Sequence, residues 1–475
     1  MVSWIVIGCI FFIVFVFIIV DVVVISKKPY NLVSLIGMAT YIFTFFIFSK
    51  NPKKVQWRAV AWGLGLQFIF ALFILRWDKG FAAFTWLGDR VAEFLLFTDA
   101  GSRFIFGNGF EEHFFAFKIL PTVIFFSTMI SILYYLGAMQ VLIRNIAWVM
   151  QSVMGTTAGE SLNAAANIFI GQTEAPLVIR PIISDMTKSE LHAVMTGGFA
   201  TIAGGVLASY IHFGVPANHL ISASVMSAPA ALAMAKLLYP ECEKSKTTVS
   251  DLQTLQKSPE RNVIEAASAG ASASIKLVAN MAANLIAFIA LLEFMNTLLS
   301  WFGERAGVEG FTFQFICSYV LWPTAFIMGT ERADCFKVAR MIGIKTFFNE
   351  YLAYEDLGSL VKNKDLFNAH LHSSGNWTFS KDDIILFNSG QNDTHPGETV
   401  ILDGGILSDR SIAIATYALC GFANIGSIGI QLGGLGAMAP HRKSDLASVA
   451  VRAMIAGNVA CFMTACIAGL LYQGE

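Results

Sequence analysis

Two carboxylates stand in apolar surroundings, Glu174 in NIFIGQTEAP and Glu350 in KTFFNEYLAY. Burying a carboxylate without a partner, water or a hydrogen-bonding ligand is costly, so each marks a candidate binding position. Gln172 and Thr173 adjoin the first, and Asn424 and Ser427 lie on a Gly-containing apolar segment beyond the second. Carboxylate and Asn oxygens accept from sugar hydroxyls, and a Gln amide offers a donor and an acceptor to a heterocycle edge. Val206 and Phe422 would supply apolar surface against a ring. The set therefore suits a polyhydroxylated solute that also carries an amide-like edge. The competing reading is an internal salt bridge, Glu174 with Arg180 or Glu350 with Lys345, with the neutral residues joining helices. A second chemistry lies close by. Asn167 and Thr201, with the backbone carbonyls of Ile170 and Ile202, offer amide, hydroxyl and carbonyl oxygens, the set with which interrupted transporter helices hold a small hard cation such as sodium.

The elements that must position these residues repeat. Gly198 to Gly205 reads GFATIAGG and Gly421 to Ile428 reads GFANIGSI, each in an apolar segment that follows one of the two acidic stretches. Two repeats with Gly-interrupted segments meeting at the bilayer midplane are the usual construction of secondary transporters. Residues 161–183 hold Asn163, Asn167, Gln172, Glu174, Pro176 and Arg180. A simple crossing would place a charge at the bilayer centre at about 2.5–3.5 kcal/mol on insertion scales, so a re-entrant hairpin bending near Gly171–Pro176 is expected. Residues 311–355 have the same character and predict a second hairpin. Continuous spans fall near 2–25, 32–49, 58–76, 115–138, 191–212, 217–238, 275–300, 411–438 and 445–470, each near the length a bilayer requires. Amphipathic pieces at 81–97 and 140–155 are expected to lie along the surface. An odd number of crossings between the hairpins sets the second inverted relative to the first.

Composition bounds the class. The chain has 475 residues, 55% of them hydrophobic and only 14% charged, with a mean hydropathy of +0.62, which marks a polytopic membrane protein in contact with the lipid bilayer. A net charge of -1 with no basic face argues against a nucleic-acid partner. No GxxxxGK[ST] string, nucleophile–base pair, CxxC pair or metal-ligand spacing is present, which argues against an ATP-driven pump and against an enzyme, and no cofactor is called for. Seven cysteines sit mostly in apolar segments and read as packing residues. The loops holding Lys50, Lys53, Lys54 and Arg58, then Lys244, Lys246, Lys257 and Arg261, then Arg442 and Lys443, fall on one side, which the distribution of basic residues assigns to the cytoplasm. Lys27 and Lys28 fall opposite. The N-terminus is then cytoplasmic, the C-terminus extracellular, and an insertion over 356–410 faces outside with two glycosylation acceptors in form, Asn376 and Asn392.

The strings GQTEAPLVIRP, TKSELHAVMTGGFATIAGGVLASY, HLISASVMSAPA, KTFFNEYLAYEDL and ATYALCGFANIGSIGIQLGGLGAMAPHRKSDLASVAVRAMIAGNVACFMTACIAG strongly resemble the concentrative nucleoside transporter family. The likeness runs from about Lys27 to Leu471, the insertion excepted. It implies a plasma-membrane homotrimer that moves nucleosides such as uridine and adenosine by an elevator displacement of a transport domain against a scaffold, coupled to sodium or in some members to protons. The expected fold is an all-α polytopic membrane protein with inverted repeats, two re-entrant helical hairpins and broken transmembrane helices. Its expected division is N-terminal scaffold spans over 1–138, a first transport repeat over 139–262, a scaffold helix over 263–310 and a second transport repeat over 311–475. By the same resemblance Gln172, Thr173 and Glu174 contact the nucleobase, Glu350, Asn424 and Ser427 the ribose, and Val206 and Phe422 form the wall. Asn167, Ile170, Thr201 and Ile202 correspond to the sodium site, Thr201 keeping the hydroxyl of a Ser found in some bacterial relatives. Gly171–Gln172 resembles the pair of broadly selective members. The insertion is longer than usual for the family. Two other readings compete with sodium coupling: a proton-coupled nucleoside symporter, and, from a different class, a nucleoside receptor or membrane enzyme.

Overall fold

The computed structural model describes residues 28–246, 260–372, 376–380, 383–387 and 399–473. The span expected over 2–25 and the sequon at Asn392 lie outside them. Seven helices among the described residues are long and apolar enough to cross a membrane.

The first part holds α1 (Leu32–Ile47), α2 (Trp57–Ala71), the amphipathic α3 (Asp78–Leu96), α4 (Thr98–Phe106) and α5 (Leu120–Tyr135). Next come α6 (Ala138–Met154), α7 (Ala158–Ala166), α8 (Lys188–Ala200), α9 (Gly204–His212) and α10 (Ala217–Leu238). α7 runs into a bend and two 3-10 turns, Ala175–Ile179 and Ile183–Asp185, so the chain reverses without crossing. α8 and α9 form one span broken at Thr201–Ala203. A single long helix, α11 (Val263–Ala306), separates this unit from the next. There α12 (Phe313–Val320) and α13 (Trp322–Ile327) precede α14 (Cys335–Phe347) and α15 (Glu350–His372), and α16 (Asp409–Leu419) and α17 (Ile425–Met438) form the second broken span before α18 (Lys443–Leu471).

Burial separates two kinds of helix. The most apolar stretch of α11 is 6% buried and that of α18 94%, so α11 packs along α5 at the periphery while α18 runs through the centre against α8, α10 and α16. Local chemistry fixes the helix starts. Thr187–Glu190 forms a capping box at α8 that satisfies two backbone N–H groups a helix start leaves unpaired, and at α7 Glu160 accepts from the Thr157 N–H at 3.1 Å. Glu160 also pairs with Lys236 of α10, whose ammonium donates to Ser189 Oγ at 2.9 Å, tying the foot of the first hairpin to α8 and α10.

The second hairpin differs from its expected limits. Its arms are α14 and α15, and α12 and α13 lie before it as separate short helices. The insertion expected from 356 begins later, because α15 continues to His372. Leu357 and Leu360 are buried along it, and Phe367 joins Ile384, Leu386 and Leu402 in a small apolar core. The insertion also adds what an all-α reading lacks, an antiparallel sheet of β1 (Asn376–Ser380), β2 (Asp383–Phe387) and β3 (Thr399–Leu402) in the order β1-β2-β3. Thr378 opposes Ile385, and Ile385 opposes Ile401. Asn376 is exposed at the start of β1.

Candidate functional site

Glu350 opens α15 at the tip of the second hairpin and is buried, and its Oε2 accepts from Asn424 Nδ2 at 2.7 Å. Asn424 is the N-cap of α17, its Oδ1 accepting from the Ser427 N–H at 2.8 Å. Capping orients the carboxamide and leaves its NH2 for the carboxylate. Lys345, the alternative partner for Glu350, turns elsewhere and donates to the Ala418 carbonyl at 3.0 Å. Tyr354 of α15 stacks on Tyr210 of α9 with ring centroids 4.1 Å apart and donates to Thr416 O at 2.9 Å, keying the second hairpin to both broken spans.

At the first hairpin, Gln172 is buried and its Oε1 accepts at 3.1 Å from Nε2 of Gln431, two turns along α17 from Asn424. Thr173 lies against Gly434 of the same helix. The two hairpin tips are thus joined through one face of α17, formed by Asn424, Ser427 and Gln431, and not through their carboxylates. Glu174 accepts from Gly171 N–H at 2.8 Å and lines a cavity of about 360 Å³ with Ile170, Arg180, Gly204, Ser127 of α5 and Leu277 of α11. That volume lies in the range of small-molecule sites, ~300–1,000 Å³. Among the described residues no ion pair joins Glu174 to Arg180. Val206 and Phe422 belong to one apolar cluster with Ala200, Ile202 and Tyr210.

The residues expected to hold a cation lie on the first bend and on the α8–α9 break. The first bend lies along the α8–α9 break, with Gly204 N–H donating to Phe169 O at 3.2 Å. Asn167 Nδ2 donates to Asn163 O at 2.9 Å, while its Oδ1 is buried with no partner among the described residues. Thr201 Oγ1 spends its proton on Gly197 O at 2.9 Å, leaving its lone pairs. The carbonyls of Ile170 and Ile202 accept no backbone hydrogen bond among the described residues. Amide, hydroxyl and carbonyl oxygens are the donor types that suit a small hard cation.

The breaks touch each other as well. Phe422 N–H donates to Thr201 O at 3.3 Å, and α18 backs both, Asn458 Nδ2 donating to Ala423 O at 2.9 Å and Cys461 Sγ to Ala200 O at 3.4 Å and to Cys420 O. Gln431, Asn458, Lys345, Tyr210, Tyr354 and Cys461 are members of this arrangement that sequence reasoning did not assign to it. Gln431 carried one signal, a lone amide in the apolar run GIQLGGLG.

Two re-entrant hairpins, two broken helices that touch at their breaks and a polar face between them form the inverted-repeat architecture on which secondary transporters are built. Family models match most of the chain: Na+ dependent nucleoside transporter N-terminus over 36–109, a nucleoside recognition Gate over 116–217, and Na+ dependent nucleoside transporter C-terminus over 219–469. The chain belongs to the sodium-dependent nucleoside transporter family, a family of transporters and not of enzymes. Solute carrier family 28 member 3 of Homo sapiens is 54% identical over 93% of this chain and 60% of its own length. The counterpart in Eptatretus stoutii is 53% identical over 95% and 62%. The chain therefore spans about three-fifths of the length of these relatives. CNTnw, solved in an inward-facing substrate-bound state, superposes with a TM-score of 0.80 at 34% identity, covering 94% of this chain and 99% of that one. CNTnw variants in outward-facing and intermediate states match comparably, with TM-scores of 0.81 and 0.80.

Proposed function

We propose that the chain moves nucleosides into the cell together with sodium, the observation that carries this being the α17 face that joins a carboxylate–amide pair at one hairpin to a glutamine pair at the other. One lone-pair site of Glu350 is taken by Asn424, and the remaining acceptor sites suit ribose hydroxyls. Gln172, Thr173 and Glu174 face the base, with Val206 and Phe422 as the apolar wall. Sodium is held by Asn167 and Thr201 and by the carbonyls of Ile170 and Ile202. Because those ligands belong both to the first bend and to the α8–α9 break, occupancy fixes the hairpin that carries Gln172 and Glu174.

The family likeness supports a homotrimer in the plasma membrane, with 1–138 and 263–310 as scaffold and 139–262 and 311–475 as the moving repeats. The basic ends support the orientation. Lys50 bonds Leu238 O through its N–H, Ser189 donates to Tyr239 O, and Lys188 pairs with Asp445 at 2.8 Å, so these loops gather at one end, assigned to the cytoplasm. Lys28 lies beside Gln473 and Asn31 beside Leu470 at the other end, assigned to the outside with the sheet and its acceptor Asn376.

The test is uptake of radiolabelled uridine and adenosine into proteoliposomes with sodium and proton gradients imposed separately. A sodium gradient is expected to concentrate both, unmodified, and Glu350→Gln to abolish the accumulation. Accumulation driven by a proton gradient alone would replace sodium with protons, and recovery of a chemically altered nucleoside would overturn transport itself.

A further inference from the structure

The amide of Gln431 sits between two acceptors. Its Nε2 lies 3.1 Å from the Met195 carbonyl in the last turns of α8 and 3.1 Å from Gln172 Oε1. A backbone carbonyl only accepts, so Met195 fixes which end of the Gln431 amide faces it. Two N–H groups are available, and both are spent, one on Met195 and one on Gln172. What Gln431 meets on Gln172 must then be the carbonyl oxygen. The sense of one backbone group is passed along two side chains to the tip of the first hairpin.

We propose that Gln431 is a specificity-determining positioning residue, which locks the Gln172 amide so that its NH2 group, and not its carbonyl, is presented to the nucleobase. The inference rests on the nucleoside reading above and deepens it. The described hydrogen bond of the Gln172 side chain uses its oxygen and none uses Nε2 among the described residues. A fixed pair of donors recognises an acceptor on the base, and purines and pyrimidines all carry a ring nitrogen or carbonyl acceptor on an edge. One arrangement therefore admits both ring classes. Packing keeps it in place: at Gly198 an added Cβ would meet Gln431 Nε2 at 2.5 Å and Gln172 Cβ at 2.9 Å, so a glycine is what lets the two amides lie against α8. Gln431 follows Asn424 by seven residues on the same helix face, roughly 10 Å along the axis, a separation suited to a base held beyond its ribose.

Three uptake measurements on the full chain in proteoliposomes test this. Gln431→Met keeps the side-chain volume and removes the donor, and is expected to raise KM for uridine and adenosine about tenfold, the worth of roughly one hydrogen bond, with Vmax within about twofold. The ratio of KM for 3′-deoxyuridine to KM for uridine, which reads the ribose end, should stay at its wild-type value. Gln431→Glu presents oxygens where the NH2 stood, so Gln172 turns over and offers its carbonyl; cytidine, with an exocyclic amine at its edge, should then gain on uridine by about fivefold. The proposal is overturned if Gln431→Met leaves both KM values unchanged or moves the ribose ratio as much as them, or if Gln431→Glu weakens cytidine and uridine equally. Absence of nucleoside uptake by the wild-type chain would instead remove the reading on which this rests.

Discussion

The two broken helices carry nearly the same octapeptide and break differently. In the first, GFA stays helical and only Thr201–Ala203 leave the helix. In the second, the helix stops at Leu419, before the corresponding glycine, and resumes at Ile425. Gly421 has φ +129 and its missing Cβ would lie 2.6 Å from Phe199 O, whereas Gly198 is helical and abuts a side chain. Thr201 hands its proton back to Gly197, four residues earlier, while the aligned Asn424 caps the next helix and reaches Glu350. Even the aligned carbonyls differ in what they bond, Met195 meeting the neutral Gln431 and Ala418 the ammonium of Lys345. The repeat supplies one framework, and a few side chains give its two breaks different hydrogen bonding, one closed on its own helix at Gly197 and the other opened toward Glu350.

The sharpest way to break that contrast is at the glycines. Gly421→Val forces a β-branched residue into a left-handed backbone at about 1–3 kcal/mol and against a backbone oxygen besides. No folded protein is expected on size-exclusion chromatography in detergent, whereas Gly198→Ala, pressing on a movable amide, should fold with a raised KM for nucleosides. Equal loss at both positions would erase the distinction. Next comes the charge. Lys345→Met removes a charge-assisted bond worth about 1.5–3 kcal/mol, and Gln431→Leu a neutral one worth about 0.5–1.5 kcal/mol; thermal unfolding in detergent should show the larger fall for Lys345. Asn424→Ala loses a helix cap, about 0.5–2 kcal/mol, and should raise KM for uridine while leaving the sodium activation curve in place. Thr201→Ala should do the reverse, shifting sodium activation to higher concentration. The smallest effect belongs to Thr201→Ser, which keeps the hydroxyl and should leave sodium activation within about twofold.

Much of the framework could be read from residue order because membrane burial penalises exceptions. Glu174, Glu350 and the twin glycine strings stand out against apolar neighbours, and the seams between hairpins and spans fall where Pro, Gly and charge interrupt them. The partners of those residues were harder to see. Lys345 stands five residues from Glu350 and reads as its counter-ion, yet the helix ends after Phe347, and the lysine, one turn back, faces the end of α16. Gln431 lies 259 residues from Gln172, and nothing local announces that pairing. The length of α15 was obscured for another reason. Residues 356–372 are as polar as a loop, and their helix is held by contacts with strands that follow later in the chain.

The sheet is fastened to the hairpin that carries Glu350. Asn363 of α15 donates to Asp403 O at 2.8 Å and Gly405 O at 3.0 Å, Asp383 accepts from Gly404 N–H at 2.7 Å, and the rings of Phe367 and Trp377 meet edge to face. The strands and α15 therefore form one packed unit. Were α15 to shift during transport as proposed above, a fluorophore on the exposed β1 side chain Phe379 would ride with it like a flag on a piston, and energy transfer to a dye on α11 would read the stroke.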